Sequence, residues 1–313
     1  EPEPMSTEHP HRRDTLRAAA ALAGAAAAGG AALAQPLEQA LGRDDTNRGS
    51  RAPVLFLGHG SPMNAIEENR WSDAFQRIGE SLPGPTAVLA VSAHWWTKGT
   101  LVTANESPRT IHDFGGFPAA LFAVRYPAPG SPDLARRVRR LLAERARDDR
   151  TARTSTDWGL DHGTWSVLRH LLPRANVPVV QLSLDASLTP TQHLELARGL
   201  SELRDDGVLI LGSGNVTHNL PDAMARARDG GGPPPEWATR FDAEAARAIE
   251  ERDTKHLVAR WPDGQDARRA HPHPDHWLPL LYAYAASDAE DEVTFPIEGF
   301  DLGSISMRAV RWG

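Results

Sequence analysis

Four short apolar runs punctuate the chain: Val54–Leu57, Ala87–Val91, Val177–Leu184 and Val208–Leu211. Each is near-continuous rather than alternating and contains β-branched residues, the pattern of a strand buried on both faces. Between the runs, hydrophobic positions recur at helical spacing, as with Leu134, Val138, Leu141 and Leu142 in Pro132–Arg145. A second helix is predicted from Pro190 to Leu203, with Thr189 as its N-cap and Pro190 at its first position. Residues 236–257 carry a further helical pattern, set off from the last apolar run by the low-complexity loop Asp229–Pro235. Strands alternating with helices predict one α/β domain over residues 53–313. Its central sheet is expected to be mostly parallel or mixed, with helices on both faces.

Ahead of that domain the pattern changes. Arg12-Arg13-Asp14-Thr15-Leu16-Arg17 precedes an Ala/Gly-rich stretch that ends in Ala32-Leu33-Ala34. A basic start, a weakly apolar middle and an A-x-A site predict a signal peptide over residues 1–34. The paired arginines and mild hydrophobicity point to twin-arginine export. The expected location is the periplasm, or the cytoplasm if the signal is not used. A membrane anchor is the alternative, but alanine and glycine give it little hydrophobic drive. Residues 35–52 are polar and are expected to form a linker. No segment of the mature chain is apolar enough to suggest a membrane span.

Composition narrows the chemistry. The 313 residues carry a net charge of −7, which argues against a nucleic-acid partner. The one dense basic run, Arg136-Arg137-Val138-Arg139-Arg140, reads as the solvated face of a helix. With no cysteine, disulfides, thiolate metal sites and cysteine nucleophiles are excluded. Any metal must be held by His, Asp or Glu, and 13 histidines are available.

Several of these histidines stand where strands should end. The first run leads into Gly58-His59-Gly60-Ser61-Pro62, the second into Ser92-Ala93-His94-Trp95-Trp96. The last leads into Gly212-Ser213-Gly214-Asn215, with His218-Asn219 just beyond. In open α/β sheets ligands bind outside the carboxyl ends of the strands. Parallel strands would bring His59, His94 and His218 to one edge, where neutral imidazoles suit Fe or Zn. Each could instead be a hydrogen-bonded turn residue. His162, in Asp161-His162-Gly163-Thr164-Trp165, opens a helical run. There the helix dipole favours a neutral imidazole, although a plain capping loop would read the same way. In His271-Pro272-His273-Pro274-Asp275-His276, at most one of the first two histidines is expected to face a site.

Seven motifs, in order, resemble the 4,5-DOPA extradiol dioxygenase family, of the class III extradiol ring-cleavage dioxygenases. They are Leu57-Gly58-His59-Gly60-Ser61-Pro62-Met63-Asn64, Val91-Ser92-Ala93-His94-Trp95, Ile111-His112-Asp113-Phe114-Gly115-Gly116-Phe117-Pro118 and Tyr126-Pro127-Ala128-Pro129-Gly130-Ser131-Pro132. Asp161-His162-Gly163-Thr164-Trp165, Gly214-Asn215-Val216-Thr217-His218-Asn219-Leu220 and Pro274-Asp275-His276-Trp277-Leu278-Pro279-Leu280-Leu281 complete the set. The resemblance implies a single α/β domain with one divalent non-haem metal ion, Fe(II) or Zn(II), at the carboxyl ends of the strands. By motif, His59 and His94 match the first metal ligands and His276 the ligand near the C-terminus. His218 matches a position that is a fourth ligand in some members and the catalytic acid/base in distant relatives. His162 matches a histidine behind the ligands or against the substrate, and the loop from His112 to Phe117 would cover the substrate. Distant class III enzymes have a carboxylate among their ligands, whereas here the C-terminal position is His276 and Asp275 is expected to point elsewhere.

The reaction this implies is cleavage of a DOPA-like catechol by O2 to a ring-opened semialdehyde, with His162 and His218 as candidates for the proton transfers. Trp95, Trp96, Phe114 and Phe117 could wall an aromatic pocket. Two other readings use the same histidines: a zinc-dependent hydrolase acting through metal-bound water, and a non-catalytic metal-binding protein on the same scaffold.

Overall fold

A computed structural model describes residues 51–145, 151–259 and 264–313. The expected signal peptide and residues 35–50 of the expected linker lie outside these residues. Arg51 and Ala52, assigned to the linker by the sequence, pack onto the domain. The Ala52 N–H donates to the Arg204 carbonyl (3.0 Å), and the buried Arg204 guanidinium donates back to the Ala52 carbonyl (2.8 Å).

The strands are β1 (Val54–Gly58), β2 (Ala87–Thr97), β3 (Leu101–Thr103), β4 (Arg153–Ser155), β5 (Val179–Asp185), β6 (Val208–Gly214), β7 (Val293–Ile297), β8 (Phe300–Asp301), β9 (Ile305–Ser306) and β10 (Ala309–Trp312). Eight of them form one mixed sheet in the order β4-β3-β5-β2-β6-β1-β10-β7. Its centre, β5-β2-β6-β1, is parallel, and antiparallel β10 and β7 close one side. The four apolar runs are therefore the four central strands, which have neighbours on both sides and helices on both faces.

Alternation along each strand sorts the core into two layers. Val54, Phe56, Leu89, Val91 and Ile210 face one side, where α3 (Pro132–Arg145), α5 (Pro190–Ala197), α7 (Glu236–Glu250) and α10 (Leu278–Ala286) pack. Leu55, Leu57, Val88, Ala90, Leu209 and Leu211 face the other, against α1 (Arg70–Glu80) and α4 (His162–Leu171). The remaining helices are α2 (Ala119–Phe122), α6 (Leu220–Arg228), α8 (Thr254–Ala259) and α9 (Gln265–Ala270).

Most predicted elements are present, with shifted ends. The Thr189 hydroxyl and the Gln192 side chain form a reciprocal capping box at the start of α5. That helix stops at Ala197 rather than Leu203, and a 3₁₀ stretch, Arg198–Asp206, carries the chain to left-handed Gly207. The 236–257 pattern is two helices, because Arg252 between α7 and α8 has a positive φ of 55°. β2 runs six residues past Val91, but its register with β5 shifts between Val91 and Trp96. His94 lies inside that irregularity, a place where a strand can re-aim a side chain.

Candidate active site

Five histidines meet at the carboxyl edge of the parallel strands. His59 follows β1, and its N–H continues the ladder to the Gly214 carbonyl of β6 (3.0 Å). His94 comes from the irregular segment of β2. His162 is the first residue of α4, behind the Asp161 N-cap. His276 ends a 3₁₀ turn, Pro274–His276, that leads into α10. Its carbonyl accepts the Asn215 N–H at the end of β6 (3.0 Å). Gly214 has to be glycine here, because a Cβ would occupy the space of the His276 carbonyl. His218 lies between β6 and α6, its N–H bonded to the Ala270 carbonyl (2.8 Å).

Hydrogen bonds set the tautomers. The Ser213 hydroxyl donates to the Gly163 carbonyl (2.5 Å), so toward His59 its oxygen accepts. His59 Nδ1, 3.0 Å away, therefore carries the proton and its Nε2 is bare. His276 Nδ1 donates to Asp275 Oδ1 (2.8 Å), which leaves Nε2 bare, buried and without a partner. Asp275 lies on the Nδ1 edge of His276, away from the bare Nε2, because a 3₁₀ turn folds its carboxylate back onto the neighbouring ring. Gly163 packs against the far side of the group, where a Cβ would sit 2.5 Å from Ser92 Oγ and 2.9 Å from His94 Cδ2.

Electrostatics hold these rings neutral. Burial, then mutual repulsion with His94 and His276, takes His59 well below its ordinary pKa. Burial and His218 do the same to His276. Burial lowers His94 to about 3 and His218 to about 4. Neutral rings that keep a free lone pair are what a cation needs.

The spacing distinguishes the rings. His59 Nε2 and His94 Nε2 are 3.1 Å apart. Two nitrogens bonded to one ion at 2.0–2.1 Å, at octahedral or tetrahedral angles, are separated by about 2.9–3.4 Å. The ring centroids of three such ligands fall about 4.5–5.3 Å apart on the same geometry. His59, His94 and His276 form a triangle with sides of 5.0, 5.0 and 5.1 Å. His162 also offers a donor atom within 4.8 Å of donors on His59 and His94. Its centroid, however, is only 3.8 Å from that of His94. His218 stacks flat on His276, with centroids 3.4 Å apart and planes at 2°. Parallel rings this close would not both direct a lone pair at one ion, so in this arrangement either His218 or His276 would hold it, not both. Among the described residues the three histidines whose donor atoms all lie within 4.8 Å of one another are His59, His94 and His162, and His276 joins His59 and His94 by ring spacing; the cluster fits a single divalent ion held by three imidazoles.

Around this centre lie residues that the sequence did not single out. Asp113 approaches His162 and, at 3.6 Å, His94. Burial would raise its carboxyl, but contact with His162 outweighs this and holds it below the usual range. Asp161, buried beneath the start of α4, is raised to about 6 by burial and by Asp113. Asp113 stands inside a quoted motif, but nothing in the pattern reveals which histidine it meets. The Phe114 ring meets the His162 ring edge-on at 5.4 Å and packs with Phe117 at 5.3 Å and Phe122 at 5.2 Å. The other half of the expected aromatic wall is arranged differently. Trp95 stacks on Trp158, and Trp96 meets exposed His273 edge-on. His271 is buried with Nε2 on the Val216 carbonyl (2.8 Å).

Residues 53–304 match the family model described as the catalytic LigB subunit of aromatic ring-opening dioxygenase. The chain belongs to this LigB family. Among its LigB relatives is the 4,5-DOPA dioxygenase extradiol of Escherichia coli K12, 44% identical over 87% of this chain and 98% of that protein. The Beta vulgaris protein of the same name is 36% identical over 83% of this chain and 96% of its own length. A crystal structure of an uncharacterized protein from Escherichia coli K12 superposes with a TM-score of 0.71 at 40% identity. It covers 84% of this chain and all of that one. The LigB match spans seven of the eight strands of the main sheet, all but β10, and all five histidines. Among the described residues no helix is long and apolar enough to cross a membrane.

Proposed function

We propose that this LigB protein is an extradiol dioxygenase that opens the ring of a DOPA-like catechol with O2, giving a ring-opened semialdehyde acid. We further propose that His59, His94 and His276 hold its one non-haem ion, Fe(II) or Zn(II). The observation that carries this reading is the triangle of neutral imidazoles, in a chain whose relatives are named for that reaction. When bound, the ion supplies positive charge and coordination positions for the two catechol oxygens.

The chain's own residues supply the rest. His162 and His218 flank the triangle on opposite partners, one against His94 and the other against His276. They are the groups placed to take a hydroxyl proton from the catechol and return it when the ring opens. Phe114 and its aromatic neighbours give an aromatic ring an apolar surface to pack on and keep water from it. A zinc hydrolase would need a carboxylate free to act as base beside the ion. Asp113 accepts the His162 N–H and lies against its ring, 3.0 Å from Nδ1, and Asp275 is shared between His276 and His273.

The test is metal analysis of the native protein followed by O2 uptake with a panel of catechols. We expect one ion per chain and one O2 consumed per catechol lost. A metal-loaded protein that consumes no O2 with any catechol would end the dioxygenase reading. We also propose that the segment around Arg12-Arg13 directs twin-arginine export to the periplasm. Replacing both arginines by lysine should hold the protein in the cytoplasm, and unchanged export would refute it.

A further inference from the structure

We infer that Asp113 is a positioning residue that fixes the tautomer and orientation of His162. This rests on His162 acting in proton transfer. As the first residue of α4, His162 has an N–H with no partner inside the helix. Asp161 does not serve it, because its side chain caps Thr164 (3.1 Å). Asp113, 49 residues upstream, does: its Oδ1 accepts the His162 N–H at 2.9 Å. The other oxygen of the same carboxylate lies 3.0 Å from His162 Nδ1. Asp113 thus holds the backbone of His162 by a hydrogen bond and sets a carboxylate charge beside its ring nitrogen, a close contact outside hydrogen-bond geometry.

A carboxylate oxygen 3.0 Å away repels a lone pair on Nδ1, which favours the neutral His162 tautomer with its proton there. Nε2 is then the bare nitrogen, the atom able to receive a proton. The residue after Asp113 completes the hold, since the Phe114 ring meets the His162 ring edge-on at 5.4 Å. One short stretch of the 112–117 loop therefore fixes both the polar edge and the face of this imidazole.

Asp113→Asn separates the tautomer from the shape. Its amide oxygen can still accept the His162 N–H, but its amide nitrogen then faces Nδ1 as a donor and favours the proton on Nε2. In the zinc-loaded wild type, nitrogen-15 NMR should show His162 protonated at Nδ1. In zinc-loaded Asp113→Asn it should show Nε2–H, with one ion per chain retained. In the enzyme carrying its native ion, kcat should fall about 10²–10⁴-fold, the range a misdirected acid/base group costs, while KM for the catechol stays within a few-fold. Asp113→Glu should recover part of the lost kcat. Wild-type His162 protonated at Nε2, or an unchanged tautomer in Asp113→Asn, overturns the inference. A switched tautomer with unchanged kcat upholds the role of Asp113 and removes His162 from proton transfer.

Discussion

His59→Ala is expected to hold no metal ion and to show no ring-cleaving activity, while keeping its fold. His59 is the ligand candidate most firmly built into the sheet. Its backbone extends the β1–β6 ladder, its Nδ1 is spoken for by Ser213, and its Nε2 is 3.1 Å from that of His94. Truncation leaves two imidazoles of the triangle, too few for the three-ligand geometry of a catalytic ion. Circular dichroism should be unchanged, because β1 keeps its backbone partners. Elemental analysis of the purified variant decides the matter: a full equivalent of metal would remove His59 from the ligand set.

His218→Ala should behave in the opposite way, retaining its metal but losing at least about 10²-fold in turnover. The face-to-face stack on His276 is the reason: with the two rings parallel and 3.4 Å apart, an ion that His276 would hold would not also be held by His218. Burial, which lowers the His218 pKa to about 4, leaves it neutral and able to accept a proton at ordinary pH. Asn219, its neighbour in sequence, has other partners. Its oxygen caps the Asp222 N–H of α6 and its amide donates to the Arg269 carbonyl. Metal loss as complete as in His59→Ala would make His218 a ligand and leave His162 as the remaining acid/base candidate.

The fold was legible because a parallel centre imposes a strong pattern. Strands covered on both faces must be apolar at every position, and Val54–Leu57 and Val208–Leu211 are. The histidines were legible for a related reason, since a polar residue at the end of such a strand has few places to be except the sheet edge. What no pattern encodes is the separation of rings brought in from distant segments. That His162 approaches His94 to 3.8 Å, and that His218 lies flat on His276, depends on the irregularity in β2 and on packing between segments 58 and 68 residues apart. Asp113 and Asp275 were hidden likewise. A carboxylate beside a histidine in sequence can face any direction until a turn is specified, and the 3₁₀ turn at Pro274–His276 specifies it only in three dimensions.

The crowding of neutral histidines also makes the fold a poor host for protons. In the unfolded chain each ring returns to the ordinary histidine value near 6.5, whereas burial in the fold pushes His94 down to about 3, His218 and the separate buried His193 to about 4, and His59 and His276 well below normal. The unfolded chain therefore binds more protons as the medium turns acidic. Their neutral burial contributes its full stability above pH 6.5 and loses it as pH falls toward the native values. Each ring that protonates only on unfolding costs about 1.4 kcal/mol per pH unit in that window. The arrangement that leaves lone pairs ready at neutral pH thus makes mild acid a denaturant of this fold.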